Sequence, residues 1–369
     1  MKQNVRTQRL DKLHKLVTAY TAEAHEEKLL PADHPALAWF TPFKYLNPVG
    51  WALAPNKIPY VAATALVDSY SCLPRRPDMA FTYLWTATNS CYNDLYMKSS
   101  AHAESLGDSK AIEKSLIEIN KIMQSQIALP TASSQGPDFS TPQEIILDFA
   151  HRLPDKTLHF VASYILKGMA IEKHNEFVIK KANETGKKAD TIRKIHISSS
   201  YKSFKTKFKA MFNHFYWTYG EAYSALCTIT ENPDKTDVSF GIVENEKSRK
   251  ITHALGKEIK TILIKIPAID QFDDLGKPTV KTPALYSDTQ RLEFLVFCLL
   301  YATRNNNAHG NVASRVGSIF SDSQSIVAAT WIFLFGYFYL SLILLCLGSI
   351  EPDDLHIHSL NASLLDKND

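Results

Sequence analysis

"IVAATWIFLFGYFYLSLILLCLGSI", residues 326–350, is the stretch on which the fold turns. No charged residue occurs from Ser323 to Ile350, and the run is long enough to cross a bilayer. A helix that is apolar all round either spans a membrane or is enclosed by other helices. Thr330, Gly336, Tyr337, Tyr339 and Ser341 interrupt this one, and the basic flank of a cytoplasmic membrane edge is missing, with Asp322 before it and Glu351 after it. The reading adopted is a helix buried between other helices, with a membrane span over 325–349 as its alternative.

The rest of the chain supplies helices to bury it. Upstream, 288–303 is an apolar helix, and 141–152, 155–184, 190–231 and 245–265 also carry helical patterning. Asp78 can cap MAFTYLWTATNSCYNDLYM, another helix is expected over about 109–127, and Thr141 is a helix cap ending the linker SSQGPDFSTP. Strand-like alternation is confined to short pieces near 238–243 and 261–266. Residues 2–20 read as a charged helix. The region from Pro31 to Pro77 holds eight of the seventeen prolines and admits only a short helix near Tyr60–Tyr70. The expected class is all-α, divided into an N-terminal helix and Pro-rich region (1–77), a helical domain (78–350) and a mobile acidic tail (351–369).

Composition narrows the function. With 45% apolar and 21% charged residues the chain can bury a core, and a net charge of +3 gives no whole-protein attraction for nucleic acid. Five scattered cysteines without a CxxC pair point to a reducing compartment with neither disulfide framework nor zinc site, and the charged N-terminus lacks the apolar core of a signal peptide. A cytoplasmic location is expected. Walker A, GxGxxG and GxSxG motifs are absent, which argues against nucleotide hydrolysis, dinucleotide chemistry and the common serine hydrolase arrangement. His356 and His358 form an HxH pair without a third ligand, so neither metal nor cofactor is expected.

The polar cluster LYATRNNNAHGN, residues 300–311, follows the apolar helix 288–303. Arg then His five positions on is weak evidence alone, since Arg9 and His14 share the spacing. Arg304 and His309 differ in their setting, with Asn305 after the arginine and Gly310 after the histidine. On a straight helix the two side chains lie roughly 140° apart, so a break near the asparagines is needed to bring them together. Histidine moves a proton near neutrality, and a guanidinium holds phosphate oxygens through paired hydrogen bonds. Asn305 could orient either. A solvated interhelical turn with an incidental histidine is the alternative.

RNNNAHG resembles the R-polar-x3-H signature of HEPN (higher eukaryotes and prokaryotes nucleotide-binding) domains, and Trp85, Ala87, Asn89 and Tyr92 in LWTATNSCY are similar to the W-x-A-x-N-x-x-Y pattern of the first helix in many members. The resemblance implies an up-and-down helical bundle that dimerises, joining two R-x4-H motifs in a cleft that cuts RNA without metal. It implies Arg304 and His309 as catalytic, Asn305 as supporting and Asn89 as a weaker supporting candidate. It further implies a toxin or effector of a prokaryotic antiviral defence or toxin–antitoxin system, with a possible antitoxin or sensor partner. A noncatalytic module binding RNA or protein is the alternative. The wide separation of Asn89 from Arg304 requires a large insertion at about 105–285, unless 212–226 is the first helix.

Between Lys167 and Lys209 twelve Lys or Arg face four acids. Lys202, Lys205, Lys207 and Lys209 interleave with aromatics in YKSFKTKFK, a pattern suited to single-stranded RNA. The alternative is a solvated face with Tyr201, Phe204 and Phe208 in the core. Glu293 lies too far along its helix to touch Arg304.

Overall fold

The computed structural model of the chain describes residues 40–99 (except 41), 107–129, 138–184, 194–231, 238–242, 246–308 and 322–368, with isolated positions between 8 and 21. The structure is predominantly helical, and its strands form three two-stranded antiparallel hairpins among the described residues. The chain divides into unit 1, Met1–Arg152 with Asn306–Asp369, and unit 2, Leu153–Asn305. The second unit, Leu153–Asn305, overlaps most of the stretch 105–285 in which an insertion is expected.

Unit 1 contains α1 (Tyr60–Ser71), α2 (Pro77–Ser99), α3 (Asp108–Asn120), the hairpin β1 (Ile127–Leu129) with β2 (Asp138–Ser140), and α4 (Pro142–His151). Thr141 caps α4 as expected: its hydroxyl accepts from the Glu144 N–H while the Glu144 carboxylate accepts from the Thr141 N–H. The helix expected over 109–127 stops at Asn120, and Ile127 begins a strand instead.

The opening stretch belongs to a helix over Ser323–Cys346 that is buried almost throughout. It packs on α2, where a Cβ on Gly336 would come 3.0 Å from the Phe81 ring and 3.2 Å from Leu84, so glycine there permits the close approach. Trp331, Tyr337 and Tyr339 have partners across the unit, whereas the buried Ser341 hydroxyl has none among the described residues. Trp331 Nε1 donates to the Phe149 carbonyl at 2.9 Å, and the Tyr339 hydroxyl is 2.7 Å from Ser115 Oγ. The Tyr337 hydroxyl accepts from the Leu46 N–H at 2.5 Å and lies 2.6 Å from the Tyr70 hydroxyl. The Pro-rich region therefore contributes to this core, with Phe40, Phe43 and Leu46 buried.

The expectation of a mobile acidic tail is corrected. Pro352–Leu355, His356–Ala362 and Ser363–Asn368 are helical, and Leu355, Ile357, Ala362, Leu364 and Leu365 are buried. Asn361 clamps the backbone of Lys44, accepting from its N–H at 2.8 Å and donating to its carbonyl at 2.9 Å, while Arg152 donates to Asp366 at 2.6 and 2.8 Å. The acids stand on the outside of an amphipathic segment, so charge count alone concealed its apolar side.

Unit 2 is built on α5 (Asp155–Glu184). It continues through α6 (Ser199–Lys207), α7 (Lys209–Phe215) with a π-helical turn Tyr216–Gly220 and Glu221–Ser224, then β3 (Cys227–Glu231) paired with β4 (Val238–Ile242). Helix α8 (Glu246–Lys265) follows, then the hairpin β5 (Ala268–Phe272) with β6 (Pro278–Pro283). The helix expected over 190–231 is corrected at both ends: 194–198 is not helical, and CTITE pairs as a strand through its β-branched residues. The strand expected near 261–266 is the end of α8; pairing begins at Ala268, after Pro267. Tyr201, Phe204, Phe208, Phe215 and Phe294 are buried.

Helix α9 then runs through Asp288–Phe294, a π-helical stretch Leu295–Tyr301, and Ala302–Ala308. Ser287 caps its start by accepting from the Gln290 N–H. Within the π stretch the Cys298 carbonyl accepts from the Tyr164 hydroxyl of α5 at 3.1 Å. Such i→i+5 stretches are rare and occur frequently beside functional sites; here one leads directly into Arg304.

Candidate functional site

Arg304 stands half-buried on the final segment of α9, with its guanidinium carbon 6.0 Å from the centre of the Tyr301 ring. Its Nη1 donates to Asn305 Oδ1 at 3.0 Å. Asn305 is only 8% exposed, and its Nδ2 donates to Ser199 Oγ at 3.4 Å. Consecutive helical residues ordinarily point apart, so the long arginine side chain turns back to meet its neighbour. The buried amide links Arg304 to the first residue of α6, the helix that carries Lys202, Lys205 and Lys207.

No break occurs at the first asparagines, since Ala302–Ala308 is continuous helix. Asn305 spends its side chain on Arg304 and Ser199 and does not compete for its own backbone, the usual way asparagine disrupts a helix. His309 lies outside the described residues.

The four lysines divide. Lys202 and Lys209 are exposed. Lys205 pairs with Glu172 at 2.7 Å and lies over the Phe212 ring; Lys207 pairs with Glu293 at 3.1 Å and lies over the Phe297 ring. The rings expected to stack on bases are core residues, Tyr201, Phe204 and Phe208 being buried. Glu293, too remote from Arg304 in sequence terms, thus has its own cationic partner.

Asn89 belongs to unit 1, on α2, where it is half-buried and accepts from Asn93 Nδ2 at 3.2 Å. Trp85, Ala87 and Tyr92 of the same pattern are buried core residues. No group of three or more His, Cys, Asp or Glu placed to hold a metal ion occurs among the described residues.

A second polar cluster in unit 2 escaped the sequence reading. The His214 ring has Nδ1 3.0 Å from the Asp270 carbonyl and Nε2 2.7 Å from Glu258 Oε1, while the Tyr219 hydroxyl donates to Glu258 Oε2 at 2.5 Å. Burial opposes charge on His214, but the bond and charge of Glu258, aided by Asp270, outweigh it and raise its pKa above the ordinary value. Burial likewise opposes charge on Glu258, and the bonds from His214 and Tyr219 prevail to lower its pKa. Both ring nitrogens face acceptors, so the imidazolium satisfies both. Forty-four positions separate His214 from Glu258, and nothing local in FNHFYW marks the pairing.

No family model, curated protein or solved structure matches this chain.

Proposed function

We propose that the chain is a metal-independent endoribonuclease of the HEPN type, an effector of prokaryotic antiviral defence or of a toxin–antitoxin system acting in the cytoplasm. The observation that supports this reading is the hydrogen-bonded series Arg304–Asn305–Ser199, in which a buried amide holds a guanidinium beside the lysine-bearing α6. A guanidinium so held can grip a phosphodiester and stabilise the charge that develops as its phosphorus becomes five-coordinate. His309 is the proton-transfer group that the motif assigns, Asn305 positions Arg304, and exposed Lys202 and Lys209 draw in the RNA backbone. By the same resemblance the protein acts as a homodimer, with a protein partner that restrains or triggers it.

Cleavage of end-labelled total RNA in EDTA by the purified chain, beside Arg304→Ala and His309→Ala, tests the reading. The parent is expected to leave 2′,3′-cyclic phosphate and 5′-hydroxyl ends, with each variant slower by about 10²-fold or more. Binding without cutting by all three proteins would identify a binding module instead.

A further inference from the structure

We infer that His214 is a proton-operated latch for the β5–β6 hairpin: while both ring nitrogens carry hydrogen the hairpin is fastened to α7 and α8, and when the ring gives up one proton the hairpin loosens. The hairpin needs fastening because it buries little of itself. Every residue of β6 is exposed except half-buried Thr282, and Ile269 is the one buried residue of β5. Apolar burial therefore contributes little, and such an element opens locally unless it is anchored. Asn213 of α7 clamps Phe272, accepting from its N–H at 2.8 Å and donating to its carbonyl at 3.0 Å, and Gln271 Nε2 donates to the Ala210 carbonyl at 3.2 Å. At the tip, Gly276 lies against the Trp217 ring, which a Cβ would approach to 2.7 Å. His214 adds its bond to the Asp270 carbonyl, and of these anchors it is the one whose charge changes near neutral pH.

The number of donors decides which bond gives way. An imidazolium has two N–H groups for the two acceptors, the Asp270 carbonyl at 3.0 Å and Glu258 Oε1 at 2.7 Å. A neutral ring has one N–H and turns a lone pair towards the acceptor it abandons. A bond to a carboxylate is stronger than one to a neutral carbonyl, so the remaining hydrogen stays on Nε2. Tyr219, in the π-helical turn, donates to Glu258 Oε2 at 2.5 Å and keeps that carboxylate in place. The Asp270 carbonyl then loses its donor, and the β5 side of the latch opens while α7 and α8 stay joined. The charged groups that act on the ring are Glu258 from α8 and Asp270 from β5; the Asp270 carboxylate is 3.6 Å from Lys281 of β6, and Tyr219 acts through Glu258. The neighbouring rings, Phe215 and Phe272, are apolar. The closed hairpin thus binds the His214 proton more tightly than the open one, so fastening is complete below about pH 6.5 and is lost as pH rises through the raised value.

Amide hydrogen exchange of the full-length chain, followed segment by segment from about pH 5.5 to 9 and corrected for the intrinsic pH dependence of exchange, tests the latch. The lower limit keeps Glu258 ionised, its pKa being lowered. The parent is compared with His214→Gln, which has no titrating ring, and with Asn213→Ala, which loses an anchor that does not titrate; circular dichroism checks the fold at each pH. In the parent, protection over 268–283 is expected to fall by up to about tenfold per pH unit above about 6.5 and to level off once the ring is neutral. Protection over 246–265 should change by less than about threefold. His214→Gln should leave the hairpin loose at every pH and abolish the step, whereas Asn213→Ala should loosen the hairpin and keep the step. If His214→Gln does not fold, the parent and Asn213→Ala profiles decide the matter. Protection over 268–283 that stays flat in the parent, or that falls together with protection over 246–265, overturns the inference. A step that survives in His214→Gln overturns it as well, by assigning the proton to another histidine.

Discussion

Two buried histidines, one in each unit, have opposite fates. His358 in unit 1 is wholly buried against Tyr337 and Phe338, neither ring nitrogen has a hydrogen-bond partner, and burial pushes its pKa down to about 3. His214 in unit 2 is 7% exposed, yet it lies between a carboxylate and a carbonyl and its pKa is raised. The difference teaches that partners, more than depth, decide whether an imidazole is charged. One histidine behaves as an awkward aromatic core residue and the other as half of an ion pair.

The sharpest way to break the comparison is acid. His358 binds its proton more weakly folded than unfolded, so stability should fall as pH drops from about 6.5 towards about 3, by about 1.4 kcal/mol per pH unit. His358→Phe should flatten that part of a urea-unfolding pH series. An unchanged slope would mean that the ring is not isolated from water. His214 has the reverse sign. Its raised pKa gives stability that is fully present below about 6.5 and lost as pH rises through the folded value, while Glu258's contribution is lost as pH falls through its lowered one. The pair is therefore strongest between about pH 4.5 and 6.5. Glu258→Gln should cost about 2–4 kcal/mol and drop the NMR-titrated His214 pKa below its ordinary value, since burial is then opposed by Asp270 alone. Retention of a raised value would show that Asp270 suffices. The smallest effect concerns neutral pH, where His358→Phe should stabilise by about 1–2 kcal/mol by replacing a desolvated, unbonded ring with an apolar one. Destabilisation there would point to overpacking against Tyr337 and Phe338.

Much of the helical plan was legible because it is local. The Thr141 capping box is written within four residues, and the helix cores at 142–151, 155–184 and 246–265 follow their apolar periodicity. The strand CTITE was hidden inside a longer helical pattern, because its partner lies beyond the segment that reads as helix. At the candidate site, the residue types around Arg304 marked a place worth attention. Nothing in the spacing pointed to Ser199, which is 106 positions from Asn305, or showed that Lys205 and Lys207 already have carboxylate partners while Lys202 and Lys209 do not rely on them.

The sequence by itself determined that the chain is helical and that 326–350 needs enclosure on every side, since periodicity and apolar character act residue by residue. Only the tertiary structure decided what encloses it, namely α2, the residues around Phe43 and a tail that composition alone marked as mobile. The same division holds for charge. Which side chains could ionise is written in the chain, but whether His214 is charged and His358 neutral depends on acceptors brought from distant positions, and desolvation and hydrogen bonding respond to proximity in space alone.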